Sequence, residues 1–128
     1  MKLLLDTCTF LWLDSDLARL PKRVRHLCAD ESNQLILSAV SAWEIAAKHF
    51  AGKLPLPASP EEYITGCRTA SGIVSIRFRE GDAFHLPKLP ALHKDPFDRM
   101  LICQAIARGL TIVTPDQNIT QYPVLTTW

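Results

Sequence analysis

Four acids stand where the chain changes from one kind of segment to another: Asp6, Glu44, Asp98 and Asp116. Carboxylates are hard oxygen donors, and several on one edge repel each other unless something positive lies between them. The chemistry on offer is the binding of a divalent cation, with magnesium or manganese favoured over zinc.

Each acid also has a purely structural explanation. Asp98 lies in His93–Asp116, HKDPFDRMLICQAIARGLTIVTPD, which reads as a helix start, a helix, a glycine stop, an apolar strand and an acid. Asp95 suits the N-cap, Pro96 the first helical position and Gly109 the left-handed C-terminal position. At 100° per residue, Asp98 shares its direction with Leu101, Ile102, Ala105 and Ile106, whereas Arg99, Gln104 and Arg108 point elsewhere. A carboxylate heading a buried stripe is costly unless paired or bound to a cation, and an acid favoured by the helix dipole is the competing reading. Asp6 ends the apolar run Lys2–Leu5, where it is either a helix cap or a group at the ligand-binding edge of a sheet. Glu44 completes an S-x-x-E box with Ser41 and stands one turn before Lys48, yet its helical neighbours Val40, Ala47 and Ala51 are small or apolar.

The elements that must position these residues alternate. Strands are predicted at Lys2–Leu5, Leu35–Leu37, Ile73–Arg77, Leu110–Val113 and, at the edge, Val124–Thr126. Between them come helices at Pro21–Ala29, Val40–Lys48, Glu61–Ala70, Arg79–Leu86 and the DPFD segment. Asp14–Leu20 reads as a polar turn, Lys53–Pro60 as a proline-rich loop, and Pro87 and Pro90 fence a second loop. The alternation predicts one domain over residues 1–128, with a parallel sheet whose carboxyl edge collects the four acids.

Composition narrows the class. The chain has 128 residues, 48% hydrophobic and 21% charged, with a formal net charge of +1, so nucleic acid would have to meet a local patch. The four cysteines, Cys8, Cys28, Cys67 and Cys103, form no CxxC pair, and three sit in helix-like apolar patterns. Reduced thiols in a cytoplasmic protein are expected. Leu3-Leu4-Leu5 is stopped at once by Asp6, so the start is not read as a signal peptide, and no apolar run is long enough to span a membrane.

Four blocks, LLLDT at Leu3–Thr7, VSAWEIAAKHFAGKL at Val40–Leu54, HKDPFDRMLICQA at His93–Ala105 and GLTIVTPD at Gly109–Asp116, resemble the PIN-domain nucleases. They are similar in particular to the VapC-type toxins of bacterial toxin–antitoxin pairs. The resemblance implies an α/β/α sandwich around a parallel sheet and a magnesium-dependent ribonuclease, with manganese as a substitute. It makes Asp6, Glu44 and Asp98 the metal-holding catalytic acids, with Asp116 acting directly or through water, and puts Asp95 behind them. Arg99 and Lys48 become the nearest contacts for substrate phosphates, and His93 is expected to be an exposed loop residue. A homodimer and a cognate antitoxin are implied as partners, the antitoxin placing an Arg or Lys among the acids and a helix in a neighbouring apolar groove. Trp12 and Trp43 fit either a contact surface or the core.

Two rivals remain at this level. A phosphotransfer enzyme of the haloacid-dehalogenase kind would use an acid after the first strand but wants a second two residues later, where this chain has Cys8. A non-catalytic binding module would leave the convergent acids without a purpose.

Overall fold

The computed structural model describes residues 1–128. In chain order the elements are β1 (Lys2–Leu5), α1 (Thr7–Ser15), α2 (Lys22–Ala29), β2 (Gln34–Ser38), α3 (Ala39–Phe50) and α4 (Pro60–Ser71). They continue with β3 (Val74–Ile76), α5 (Glu80–Ala83), α6 (Pro96–Arg108), β4 (Thr111–Val113), α7 (Gln117–Thr120) and β5 (Thr126–Thr127). The five strands form one parallel sheet in the order β3-β2-β1-β4-β5.

β1 is central because its side chains are apolar on both faces. Leu3, Leu4 and Leu5 are wholly buried. Leu3 and Leu5 enter a core with Phe10, Val24, Ile45 and Ile64, whereas Leu4 enters another with Leu101, Ile102, Ile112 and Ile119. One strand feeding two opposite cores is what a parallel sheet covered by helices on both faces requires. The expected three-layer α/β/α sandwich is therefore the observed fold. Each leucine of β1 contributes on the order of 1.5–3 kcal/mol through burial.

Helix ends follow local chemistry. Ser38, Ser59 and Asp95 accept hydrogen bonds from first-turn N–H groups of α3, α4 and α6. Gly109 closes α6 at φ 64°, a left-handed conformation that glycine adopts without cost.

Several expectations need correction. The cap of α3 is Ser38, not Ser41, whose buried hydroxyl has no partner. The predicted box fails because the helix starts directly from β2, one turn earlier. α1 runs to Ser15, and the supposed polar turn after it contains a short 3-10 turn at Leu17–Arg19. The last strand lies at Thr126–Thr127 rather than Val124–Thr126, because its pairing with β4 is set by Ile112 and Thr114 donating to Leu125 and Thr127. Gln104 is fully buried although it points off the α6 stripe, since its amide donates to the Arg77 carbonyl beyond β3. Trp43 is exposed on α3, whereas Trp12 is half-buried and stacks edge-on with Trp128.

Candidate active site

The carboxyl edge of the sheet is where the acids arrive. Asp6 follows β1 directly, its backbone N–H donating to the Val113 carbonyl at the end of β4. It caps α1 by accepting from the Thr9 N–H at 2.7 Å, and its other oxygen accepts from the Thr114 hydroxyl. Both structural readings of Asp6 hold together, because a side chain capping a helix at a sheet edge still faces that edge. Asp116 arrives two residues after Thr114, whose hydroxyl accepts the Asp116 N–H, and caps α7 through the Asn118 N–H.

Asp98 is not a capping group. It accepts no helical N–H; its oxygen meets His93 Nε2 at 3.1 Å, and His93 Nδ1 lies 2.8 Å from the Tyr122 hydroxyl. His93 is thus not the exposed loop residue expected. Its side chain is 13% exposed and packs against Tyr122, which fixes the orientation of Asp98 from behind. Asp95 caps α6 through the N–H groups of Phe97 and Asp98.

Glu44 is buried in the middle of α3. One oxygen accepts from the Thr7 hydroxyl at 2.7 Å and the other pairs with Lys48 one turn on. Lys48 therefore serves first as the counter-ion of Glu44 rather than as a free cation awaiting phosphate. Its ammonium is raised by that hydrogen bond, while its side chain stays half exposed. Arg99 points away from the acids into an apolar cavity on the other flank of α6.

The electrostatics tie these groups together. Burial raises the Asp6 carboxyl, opposed by hydrogen bonds from Thr114 and Thr9, and the charge of Asp116 adds to the rise. Burial likewise pushes Asp98 up to about 6; the His93 hydrogen bond opposes this, and Asp95 and Asp116 push further. Asp6 and Asp98 each feel Asp116, so the three form one repelling set. No group of three or more His, Cys, Asp or Glu side chains is drawn close enough to grip a metal ion as they stand. Both oxygens of Asp6 and Glu44, and one oxygen each of Asp98 and Asp116, are turned instead toward neighbouring hydroxyl, N–H, imidazole or ammonium groups. The donor chemistry fits a hard divalent cation nonetheless: carboxylates and hydroxyls on one sheet edge, where only Glu44 is paired with a lysine or arginine. Asp6, Asp98, Asp116 and, once freed from Lys48, Glu44 would hold it.

The raised carboxyl of Asp98 has a pH signature. Between about pH 4 and its folded value near 6, the folded state holds a proton that the unfolded chain has released. Stability therefore falls as pH rises through that window, and at neutral pH the ionised group is a cost. Asp98→Asn should stabilise the fold by about 1–3 kcal/mol near pH 7.5 and by little near pH 4. Thermal unfolding of both proteins at the two pH values checks this; the same gap at both would show that Asp98 is not strained by its charge.

The PIN domain family model matches residues 3–125, nearly the whole chain. The chain belongs to the PIN domain family. That family is one of nucleases, which places the protein among hydrolases acting on nucleic acid. Solved structures agree on the fold. The PIN chain is similar to VapBC from Salmonella typhimurium, solved with DNA, with a TM-score of 0.72 at 19% identity over 99% of this chain and 97% of that one. It is similar to VapBC2 from Rickettsia felis, bound to a DNA fragment from their promoter, with a TM-score of 0.71 at 17% identity over 99% and 98%. It is also similar to FitAcB from Neisseria gonorrhoeae, with a TM-score of 0.62 at 18% identity over 98% and 96%. No curated protein matches the sequence.

Of the PIN domain's sequence-predicted residues, the structure brings Asp6, Asp98 and Asp116 to one edge, with Glu44 reaching it through Thr7. Thr7, Thr114, His93 and Tyr122 were missed as orienting partners. The first two carried a signal, hydroxyls one residue after and two before a site acid; Tyr122 carried none.

Proposed function

We propose that this PIN domain is a magnesium-dependent ribonuclease, with manganese as a substitute, and the toxin of a type II toxin–antitoxin pair. The observation that carries the reading is the set Asp6, Asp98 and Asp116 at the carboxyl edge, each of the first two raised by burial and by Asp116. Bound there, a divalent cation supplies a water of lowered pKa and neutralises charge developing on the phosphodiester. The chain's own residues set the geometry. Thr9 and Thr114 fix both oxygens of Asp6, and Thr7 fixes one oxygen of Glu44. The Tyr122–His93 pair holds Asp98, the kind of outer support that keeps ligating groups aligned. Lys48 is half exposed, so it is free to leave Glu44 and meet a substrate phosphate as the acids take up a cation.

The deciding test is cleavage of short RNAs by the purified protein after chelation and again with Mg²⁺ or Mn²⁺ restored. Cleavage should vanish with chelator and return with either ion; undiminished cleavage in chelator would remove the metal from the reaction.

Two partners belong to the reading. An antitoxin is supported by the resemblance to the VapBC complexes, and the acidic edge offers a site for one of its Arg or Lys side chains. A homodimer is supported by α3, where Trp43 is 69% and Phe50 94% exposed. These two lie seven residues apart on one helical face, and Trp43 helps line an apolar cavity of about 210 Å³ with Val40, Phe97 and Met100. Light scattering should give a dimer for the wild type and a monomer for Trp43→Glu; a wild type monomeric at high concentration removes the dimer. The setting we propose is the cytoplasm, in keeping with four free cysteines. No helix is long and apolar enough to cross a membrane.

A further inference from the structure

Beside the first turn of α6 lies a cavity of about 250 Å³ that nothing described so far uses. Phe78, Leu86, Met100 and Cys103 give it apolar walls, and Lys94 and Arg99 also line it. The Arg99 Nε–H is buried without an acceptor. That nitrogen is closed off, but neither Arg99 nor Lys94 is in an ion pair, so the cations lining the cavity are a place for an incoming oxygen.

Position and size narrow what that oxygen belongs to. Asp98, on the acid side of the helix, is followed directly by Arg99, on the cavity side, so the two sites share one helical turn. The volume falls below the ~300–1,000 Å³ of a drug-sized pocket, which admits one flat ring system but not a helix. An unpaired nucleobase brings an apolar face for the walls, and its sugar-phosphate brings oxygens for the two cations.

We infer that this cavity is a nucleobase subsite: it takes one base of single-stranded RNA next to the phosphodiester held at the acids, with Arg99 and Lys94 contacting the adjoining phosphate. The inference rests on the ribonuclease reading above and adds to it a subsite that holds one unpaired base. A short peptide with an apolar side chain flanked by acids is the competing occupant.

The test uses the full chain with Mg²⁺ and a short single-stranded RNA cut at one place, made again with a single abasic site at each position in turn. One position flanking the cut should lose about tenfold or more in kcat/KM, and the others much less. Ala83→Phe fills the cavity from an exposed position of α5. With its unfolding midpoint close to wild type, it should cut intact RNA as poorly as wild type cuts the sensitive abasic RNA, and should no longer distinguish that position. A loss spread evenly over all positions in the wild type overturns the subsite whether or not the variant folds. Ala83→Phe keeping the positional preference while losing antitoxin affinity overturns it in favour of the peptide. RNA neither bound nor cut by the wild type overturns the ribonuclease reading and the subsite together; RNA cut without positional sensitivity overturns the subsite alone.

Discussion

Asp98→Asn should lower RNA cleavage by about a hundredfold or more while leaving the protein folded. Outer-sphere partners of a metal site are each worth about 10–100-fold, so a direct ligand sets the higher mark and His93→Ala the lower one. Asp6→Asn and Glu44→Gln should match Asp98→Asn. Asn caps a helix as well as Asp does, so the Thr9 N–H keeps its acceptor in Asp6→Asn and the loss belongs to the charge. Asp116→Asn and Asp95→Asn should be milder, since on the proposed reading Asp116 acts directly or through water and Asp95 stands behind the metal-holding acids. Cleavage kinetics at saturating Mg²⁺ decide the matter, and full activity in folded Asp98→Asn would return that residue to a structural role. The same variant serves for the antitoxin. If an antitoxin cation competes with magnesium for the acids, affinity should weaken as Mg²⁺ is raised and fall in part in Asp98→Asn. Most binding would persist through the apolar contacts. Affinity blind to both variables would put silencing elsewhere.

The second large effect concerns stability. Asp82, on α5, is 3% exposed, and its carboxylate is met by Arg108 of α6 at 2.7 and 3.1 Å and by the Arg79 N–H at 2.8 Å. Burial alone would raise the carboxyl; the Arg108 and Arg79 contacts overcome that and hold it below the ordinary range. Arg108 also donates to the Arg77 carbonyl at 2.6 Å, tying α6 to the segment after β3. Arg108→Ala strands a buried charge and should cost about 3–5 kcal/mol, a large share of the 5–15 kcal/mol that usually holds a domain together. Replacing both partners with apolar residues of similar size should cost far less. Denaturant unfolding of the single and double variants measures this; a single-variant loss under about 1 kcal/mol would mean that water reaches Asp82 in the folded protein.

How legible the molecule was depends on the distance over which each signal acts. The apolar run before Asp6, the cap–proline–acid sequence at Asp95–Asp98 and Gly109 are local, and they place β1 and α6 without any knowledge of neighbours. Asp6, Asp98 and Asp116 could be placed at the sheet edge because each stands just before a helix or in its first turn, whereas Glu44 lies in the middle of α3. What failed was non-local. His93 is written in the chain as a loop residue, and only the return of Tyr122 to the same edge buries it. Trp43 carries no mark that its face of α3 lacks cover. Gln104 and Asp82 look like surface residues until β3 and α5 close over the second flank of α6. The Glu44 box misled because Ser38, at the end of the preceding strand, competes with Ser41 for the same task and wins by position.

The place of β1 between β2 and β4 has a consequence for the timing of synthesis. β1 is made well before one of its two neighbours, the strand Thr111–Val113, and Asp6 takes its hydroxyl partner from Thr114. Translation at about 5–20 residues per second separates Asp6 from Asp116 by roughly 5–20 s. Until then the strand that carries the first acid has an open side and the acids are apart. On the proposed reading, nuclease activity therefore cannot precede the docking of β4 on β1, however early the strand that carries Asp6 is made.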